Sequence, residues 1–244
     1  MRYFMKFSYN GSKYNGYQIQ KDKVTVQGVL EELLSKIFNE KIRISASGRT
    51  DALVHAYGQC AHFDSNKVFD FEKLKYALNS MFDYIYIKEI SEVPEDFHAR
   101  YSVLNKEYVY KINVGEYNPI EKDLVYQLNR KLDLDSMKNA IKLFEGEHDF
   151  TSFTSLDFEK DCTRTIYETY INEKNDLIEI GFVGNGFLKY MVRNMVGLLI
   201  EIGLGKREIE SVTEILEYKD RKQAGVCANP EGLYLKQVNY ELHK

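Results

Sequence analysis

The sequence predicts an α+β fold made of two related halves, each with helices packed on an antiparallel sheet. This prediction depends first on the order of the segments, because each half reads as strand, helix, strands, helix and strand. It depends also on the join near residues 102–106, which has no Pro- or Ser-rich linker, so we expect the halves to pack rigidly. The chain is therefore divided into residues 1–105 and 106–244.

The first half opens with alternating residues that predict a strand over 2–9, followed by a turn-rich loop. Thr25 has the side chain of an N-cap, and six apolar residues then fall on one helical face: Val26, Val29, Leu30, Leu33, Leu34 and Ile37. A second helix is predicted to open at Asp70. The strands predicted after the first are 42–45, 58–63 and 85–90.

The second half repeats these ingredients. Asp133 is predicted to cap a helix that Gly146 ends. A long apolar helix is predicted over 187–202, and a shorter one carries Val212 and Ile215. The predicted strands are 107–114, 165–172, 177–183 and 233–242.

The composition is that of a soluble globular protein, with 44% hydrophobic and 29% charged residues among 244. The most apolar stretch, residues 186–205, contains Lys189, Arg193, Asn194 and Glu201, so we expect a buried helix and no membrane span. Residues 1–9 alternate like a strand and lack a long apolar core, so we expect no cleavable signal and a cytoplasmic protein. The net charge of -4 counts mildly against nucleic-acid binding, although a local basic face matters more than the sum.

Cysteine and histidine usage predicts neither a disulfide framework nor a metal site. The three cysteines are far apart and form no CxxC pair, which fits a reducing cytoplasm. The five histidines have no metal-ligand spacing, and we expect them to be structural.

The most unusual segment for chemistry is residues 45–51, where a predicted strand ends in a loop of small residues that presents Arg49 and Asp51. Residues two apart on an extended backbone point to the same side, so the two charged groups can share a cleft, or Arg49 can hold a phosphate beside Asp51. The turn propensities alone also allow an Asx-type loop in which Asp51 caps backbone N–H groups.

Residues 97–111 interleave aromatic and basic side chains. The aromatic residues are Phe97, Tyr101, Tyr108 and Tyr110, and the basic ones are His98, Arg100, Lys106 and Lys111. Aromatic faces among cations suit stacked bases and phosphates. A strand with an ordinary Tyr/Lys outer face is the alternative.

Arg193 lies inside the predicted apolar helix. A charge there is expected to be paired with a carboxylate from another segment, because burying it alone is costly. The alternative is that the side chain snorkels to solvent.

Taken in order along nearly the whole chain, several motifs resemble the TruA family of tRNA pseudouridine synthases. The resemblance is centred on Gly48-Arg49-Thr50-Asp51 with Val54-His55-Ala56. The supporting motifs are Tyr9-Asn10-Gly11-Ser12, Gly16-Tyr17-Gln18, Thr25-Val26-Gln27, Phe97-His98-Ala99-Arg100, Lys106-Glu107-Tyr108-Val109-Tyr110, His148-Asp149-Phe150, Arg164-Thr165-Ile166, Phe187-Leu188, Met191-Val192-Arg193-Asn194 and Gly232-Leu233-Tyr234-Leu235.

The resemblance implies one sheet continuous across both halves, an active-site cleft between them, and isomerisation of uridine to pseudouridine in the tRNA anticodon stem-loop. It implies Asp51 as the catalytic carboxylate, Tyr108 stacking on the uracil, and Arg193 pairing with Asp51. It implies that Arg49 contacts the RNA and helps to hold the flipped nucleotide. Further candidate RNA-binding residues, beside Tyr108, are His55, Arg100 and Lys106. It also implies a homodimer that grips one tRNA, and no cofactor or metal.

The sequence departs from the family pattern at Leu53, where Gly is usual. If this position needs a positive φ, Leu53 is strained there. Two alternatives to the isomerase stay open. One is an RNA-binding protein of the same fold that has lost catalysis. The other is a hydrolase or glycosidase that uses Asp51 with His55, although a glycosidase normally needs a second carboxylate.

Overall fold

The structure is a computed structural model that describes residues 1–155 and 161–241. Ten strands and five α-helices lie in this described part. The strands are β1 (Arg2–Tyr9), β2 (Ile44–Ala46), β3 (His55–Asp64), β4 (Ile85–Val93), β5 (Val103–Asn113), β6 (Tyr126–Gln127), β7 (Gly146–Asp149), β8 (Thr163–Lys174), β9 (Leu177–Gly184) and β10 (Leu233–Tyr240). The helices are α1 (Val26–Phe38), α2 (Phe71–Met81), α3 (Leu134–Lys142), α4 (Met191–Gly203) and α5 (Ser211–Tyr218). Most strand pairs are antiparallel, so the fold class is α+β.

The chain forms two compact units. The first contains Met1–Leu104 and the chain from Tyr234 onwards, and the second contains Asn105–Leu233. The sequence-based division assigns β10 to the second half, whereas in the structure β10 pairs with β3, Tyr234 opposite His55. This pairing is parallel and joins residues far apart in the chain, which the order of segments alone does not reveal.

The first unit has the strand order β4-β1-β3-β10, with β2 added on β3. Antiparallel β1 and β3 hold the middle, and a bulge between Phe7 and Tyr9 shifts their register. Helix α1 buries Leu30, Leu34 and Phe38. The loops that precede β3 are therefore attached to a fixed, well-packed strand.

The second unit has the strand order β5-β9-β8-β7, with the short β6 parallel to β5. Helix α4 is buried along nearly its whole length and packs against α3. The helix is apolar on most sides and is shielded from water there, as expected of a core helix. Arg193 is the third residue of this helix.

Three predicted N-caps are confirmed. The Thr25 hydroxyl accepts a hydrogen bond from the Gly28 N–H at 3.3 Å, and the carboxylates of Asp70 and Asp133 accept from backbone N–H groups at the starts of α2 and α3. Each cap satisfies a donor that the first turn of a helix leaves without a partner.

Two predicted helix ends are wrong. Helix α3 ends at Lys142, and Gly146, with φ 103°, begins β7 instead. Helix α4 begins at Met191 and not at residue 187, because Tyr190 has a left-handed backbone (φ 63°, ψ 1°) that a continuing helix does not allow. The final strand ends at Tyr240, and residue 242 of its predicted range lies outside the described residues.

Within the described residues, no helix combines the length and the apolar character needed to cross a bilayer. Likewise, no group of three or more His, Cys, Asp or Glu side chains in that part of the chain is placed to hold a metal ion.

Candidate active site

Asp51 lies at the start of a tight turn that leads into β3. The Val54 N–H donates to the Asp51 carbonyl at 3.2 Å, which closes a four-residue turn. Leu53, its third residue, has φ 69°, the sign that type II turns require at this position and that normally favours Gly. Thr50 and Val54 are buried, while Asp51 between them is half-buried. The turn therefore presents the carboxylate from a chain that is anchored on both sides.

Two hydrogen bonds fix Thr50 directly before the carboxylate. The Thr50 and Tyr9 hydroxyls are 2.7 Å apart, and the Tyr17 N–H donates to the Thr50 carbonyl at 3.0 Å. Burial raises the pKa of Tyr9 to about 12, so its phenol keeps its proton at neutral pH. A buried hydroxyl pair of this kind holds the loop in one place.

Gly11 supports the far side of the turn. Its N–H donates to His55 Nδ1 at 3.0 Å, and a Cβ at this position would lie 2.0 Å from the Val54 carbonyl oxygen. Only glycine allows the two backbones to approach this closely. The His55 side chain is 1% exposed and stacks on Tyr234 with the ring centroids 4.6 Å apart. The structure thus places His55 beneath the turn.

The strand side of the loop is also anchored. The Ser47 N–H donates to the Cys60 carbonyl at 2.8 Å, and the Gln59 side chain bonds both the Ser47 hydroxyl at 2.7 Å and the Gly48 carbonyl at 3.1 Å. Arg49 follows and is exposed. The structure therefore displays the guanidinium of Arg49 on the same loop that carries Asp51.

Tyr108 belongs to β5 in the second unit and is 8% exposed. Its ring meets Phe187 edge to face, with the centroids 5.1 Å apart. Its neighbour Glu107 is buried and accepts a hydrogen bond from the Tyr170 hydroxyl at 2.7 Å. Lys106 precedes them and is half-buried. The ring of Tyr108 is therefore nearly buried and packs against Phe187.

Arg193 is half-buried and held by its own unit. Its Nε donates to the Ala228 carbonyl at 2.7 Å, and its Cζ lies 5.1 Å from the centroid of the Tyr190 ring. The Ala228 N–H donates in return to the Arg193 carbonyl at 3.0 Å. The predicted pairing of this arginine with a carboxylate stays a prediction.

Comparison with known proteins adds the decisive observation. The model of a tRNA pseudouridine synthase family matches residues 5–102 and 140–241. The chain belongs to this family. It is 46% identical over 238 residues to the tRNA pseudouridine synthase A of Geobacillus sp. (strain WCH70), and 44% identical over 236 residues to that of Exiguobacterium sp. (strain ATCC BAA-1283 / AT1b). Each alignment covers 96% of this chain and 96% of the relative.

Likeness to solved structures is weaker. A Cbf5-Nop10-Gar1 complex gives a TM-score of 0.35 at 14% identity and covers 80% of this chain and 46% of that one, a level that carries no conclusion.

Within the family match, the predicted site residues fall in different places. Asp51, Arg49, His55, Arg100 and Arg193 lie inside the matched ranges, whereas Lys106 and Tyr108 lie between them. Arg100 is exposed, and its guanidinium carbon lies 5.8 Å from the ring centroid of the exposed Tyr101.

The sequence contains no signal for the left-handed backbone of Tyr190, because this residue lies in a predicted helix and is neither Gly nor Asn. The contact between the Tyr9 and Thr50 hydroxyls is equally unpredictable, because the two residues are 41 positions apart.

Proposed function

We propose that this member of the tRNA pseudouridine synthase family converts uridine to pseudouridine in the anticodon stem-loop of tRNA. The observation that carries the proposal is the Asp51 turn, in which one half-buried carboxylate is held by a buried scaffold. The names of its relatives, which align over 96% of their length, support tRNA as the substrate class.

The reaction needs a carboxylate and no redox partner. The N1–C1′ bond of uridine breaks, the uracil rotates while it is held, and a C5–C1′ bond forms. The C5 proton is then lost and N1 gains a proton, so that the product is an isomer. In our proposal Asp51 either attacks the sugar carbon or removes a sugar proton, and both routes need its ionised form.

Tyr108 and Arg193 complete the proposed chemistry. Tyr108, which packs edge to face against Phe187, is proposed to offer the aromatic face on which the detached uracil stacks. Arg193 is proposed to pair with Asp51, as the family resemblance implies, because a neighbouring guanidinium favours an ionised carboxylate. The target base must first leave its stack to reach these groups.

The exposed cations are proposed to bind the RNA. Arg49 and Arg100 are exposed and Lys106 is half-buried, so their cationic groups suit phosphates. We propose that His55 also contributes to the RNA-binding site. It lies beneath the turn, where its Nδ1 accepts a hydrogen bond from the Gly11 N–H. We also propose a cytoplasmic homodimer that grips one tRNA across two subunits.

The test compares wild-type protein with Asp51→Asn and Asp51→Ala on unmodified tRNA transcripts. Pseudouridine is read as reverse-transcription stops after carbodiimide treatment, and free uracil is measured in the same reactions. We expect new stops in the anticodon arm with wild type and none with either variant, although tRNA binding persists. Release of uracil without stops would support a hydrolase instead.

A second candidate function rests on Leu53. An RNA-binding protein of this fold without catalysis would bind tRNA and yield no product, and the strained residue beside Asp51 offers a physical reason. In that case Leu53→Gly is expected to restore product, which a lost catalytic group would prevent.

The binding of tRNA should weaken steeply as the salt concentration rises, because phosphate contacts release counterions.

A further inference from the structure

Tyr190 is a residue with a Cβ in a conformation that favours glycine. Its φ of 63° and ψ of 1° are left-handed, and it forms the N-cap of α4 without any side-chain capping bond. Its carbonyl accepts the first helical bond, from the Asn194 N–H at 2.9 Å. Glycine would adopt this backbone without strain, and Ser, Thr, Asp or Asn would supply a cap. The presence of tyrosine therefore calls for a reason in its side chain.

The side chain of Tyr190 contacts a cation that matters to the proposed chemistry. The Arg193 Cζ lies 5.1 Å from the ring centroid, within the range of a cation–π interaction. The Lys189 ammonium lies 5.0 Å from the same centroid. Both Tyr190 and Arg193 are half-buried, whereas Lys189 is exposed. The attraction is stronger for the less solvated cation, which is Arg193.

The segment 221–229, which we call the strap, crosses the same part of α4. The Arg221 guanidinium donates to the Asn194 side chain at 2.8 Å and to the Gly225 carbonyl at 3.0 Å. One turn beyond Arg193, a Cβ on Gly197 would lie 1.8 Å from the Val226 carbonyl oxygen. The strap therefore lies directly on the helix and brings the Ala228 carbonyl to Arg193 Nε.

We infer that Tyr190 is a positioning residue for Arg193. Its ring and the Ala228 carbonyl of the strap together restrict the guanidinium to one orientation. The left-handed Tyr190 lies at the start of the helix, and its ring contacts the side chain three positions later, in the first turn. The inference rests on the role proposed above for Arg193, and it adds a residue that acts through that arginine without touching the substrate.

Three substitutions separate the ring from the backbone strain. Tyr190→Phe keeps both, Tyr190→Leu keeps the strain and removes the ring, and Tyr190→Gly removes both. The measurements are single-turnover rate at saturating enzyme, tRNA affinity by filter binding, and thermal midpoint. We expect Phe to stay within about 2-fold of wild type, and Leu and Gly to react about 10-fold more slowly, with affinity changed by less than about 2-fold.

The glycine variant decides between positioning and simple stability. It is expected to raise the thermal midpoint, since it relieves a left-handed residue, and yet to be slow. If rate followed stability across the three variants, Tyr190 would be structural only. If Tyr190→Leu reacted as fast as wild type, the inference would be overturned.

Controls identify the cation on which the ring acts. Lys189→Gln removes the competing cation and should stay within about 2-fold in rate, as should Tyr218→Leu, an exposed tyrosine on α5. A loss of rate in Lys189→Gln equal to that in Tyr190→Leu would assign the ring to Lys189 instead.

In an Arg193→Lys background, Tyr190→Leu should lower the rate by less than about 2-fold, because the guanidinium that Tyr190 positions is gone. Absence of product with wild type would instead refute the proposed function itself.

Discussion

Leu53 and Tyr190 share an uncommon backbone and differ in what their side chains do. Each is a non-glycine residue with a positive φ, 69° and 63°, and each lies within three residues of a proposed catalytic group. The Leu53 side chain is 41% exposed. The Tyr190 ring lies over Arg193. The same backbone strain thus occurs at Leu53, whose side chain has no evident role, and at Tyr190, whose side chain has one.

A strained residue is therefore not in itself a functional residue. At Leu53 the turn needs the conformation, and any residue that adopts it will serve. At Tyr190 the conformation and the ring are both needed, so glycine is an improvement for stability only. A left-handed residue costs on the order of 1–2 kcal/mol, which is a large part of the stability of a typical domain.

The two regions are held by the same two kinds of contact. Hydrogen bonds from Tyr9 and Tyr17 hold the Asp51 turn, and Gly11 lets its backbone approach Val54 closely. Hydrogen bonds with Ala228 hold Arg193, and Gly197 lets the strap lie directly on α4. The loss of one hydrogen bond leaves the other contacts in place, whereas a Cβ on either glycine displaces a backbone, so we expect glycine substitutions to cost more than the loss of a single hydroxyl.

Gly197→Ala should therefore give the largest effect. A Cβ at 1.8 Å from the Val226 carbonyl oxygen forces helix or strap to move. We expect a loss of about 3 kcal/mol in the free energy of unfolding, measured in urea, and a slower turnover as Ala228 moves from Arg193. Gly186→Ala is the matched control, because within the described residues the nearest atoms to its Cβ would be side-chain atoms of Arg164, at 3.7 Å and beyond. Equal stability of the two variants would show that the strap is not tightly packed.

Tyr9→Phe should give the next largest effect. It leaves the buried Thr50 hydroxyl without its 2.7 Å partner, and we expect a loss of about 2 kcal/mol. The Thr50→Val variant and the double variant complete a thermodynamic cycle in urea unfolding. Because both single changes break one interaction, the double variant should cost less than their sum by about 1 kcal/mol. Strict additivity would mean that the pair does not hold the turn.

Leu53→Gly should act in the opposite direction. Relief of the left-handed strain is partly offset by the greater freedom of glycine in the unfolded chain, so we expect a gain of about 1 kcal/mol in unfolding free energy. Turnover should be kept, unlike in Tyr190→Gly. If the Leu53→Gly protein were more stable but slower, the Leu53 side chain would also be needed for turnover. The difference between Leu53 and Tyr190 would then disappear.

Leu53 and Tyr190 also mark how far the sequence leads. Glycine is usual at position 53 of the family motif around Asp51. Leu53 at this position is strained if the position needs a positive φ, and the structure confirms that φ is positive there. Nothing comparable surrounds Tyr190. Its neighbours are apolar at helical spacing, so the pattern predicts a helix that begins four residues before α4 does.

The same limit applies to the fold. Caps at Thr25, Asp70 and Asp133 depend on neighbours in the chain and were predictable. The parallel pairing of β10 with β3 and the contact of Gly11 with Val54 join distant segments, and periodicity contains no information about such pairs.

Tyr17→Phe should have the smallest effect and tests the account of the Asp51 turn most directly. Among the described residues, the buried Tyr17 hydroxyl has no hydrogen-bond partner, whereas the neighbouring Tyr9 hydroxyl has one. The Tyr17 backbone N–H, which holds Thr50, is unchanged by the substitution. Removing an unpartnered buried hydroxyl should therefore stabilise the protein by about 0.5 kcal/mol and leave turnover as it is. The same deletion at Tyr9 is destabilising, so opposite signs for two adjacent phenols in urea unfolding would assign the support of the turn to Tyr9. Equal losses at both positions would mean that ring packing, and not the hydroxyl pair, holds it.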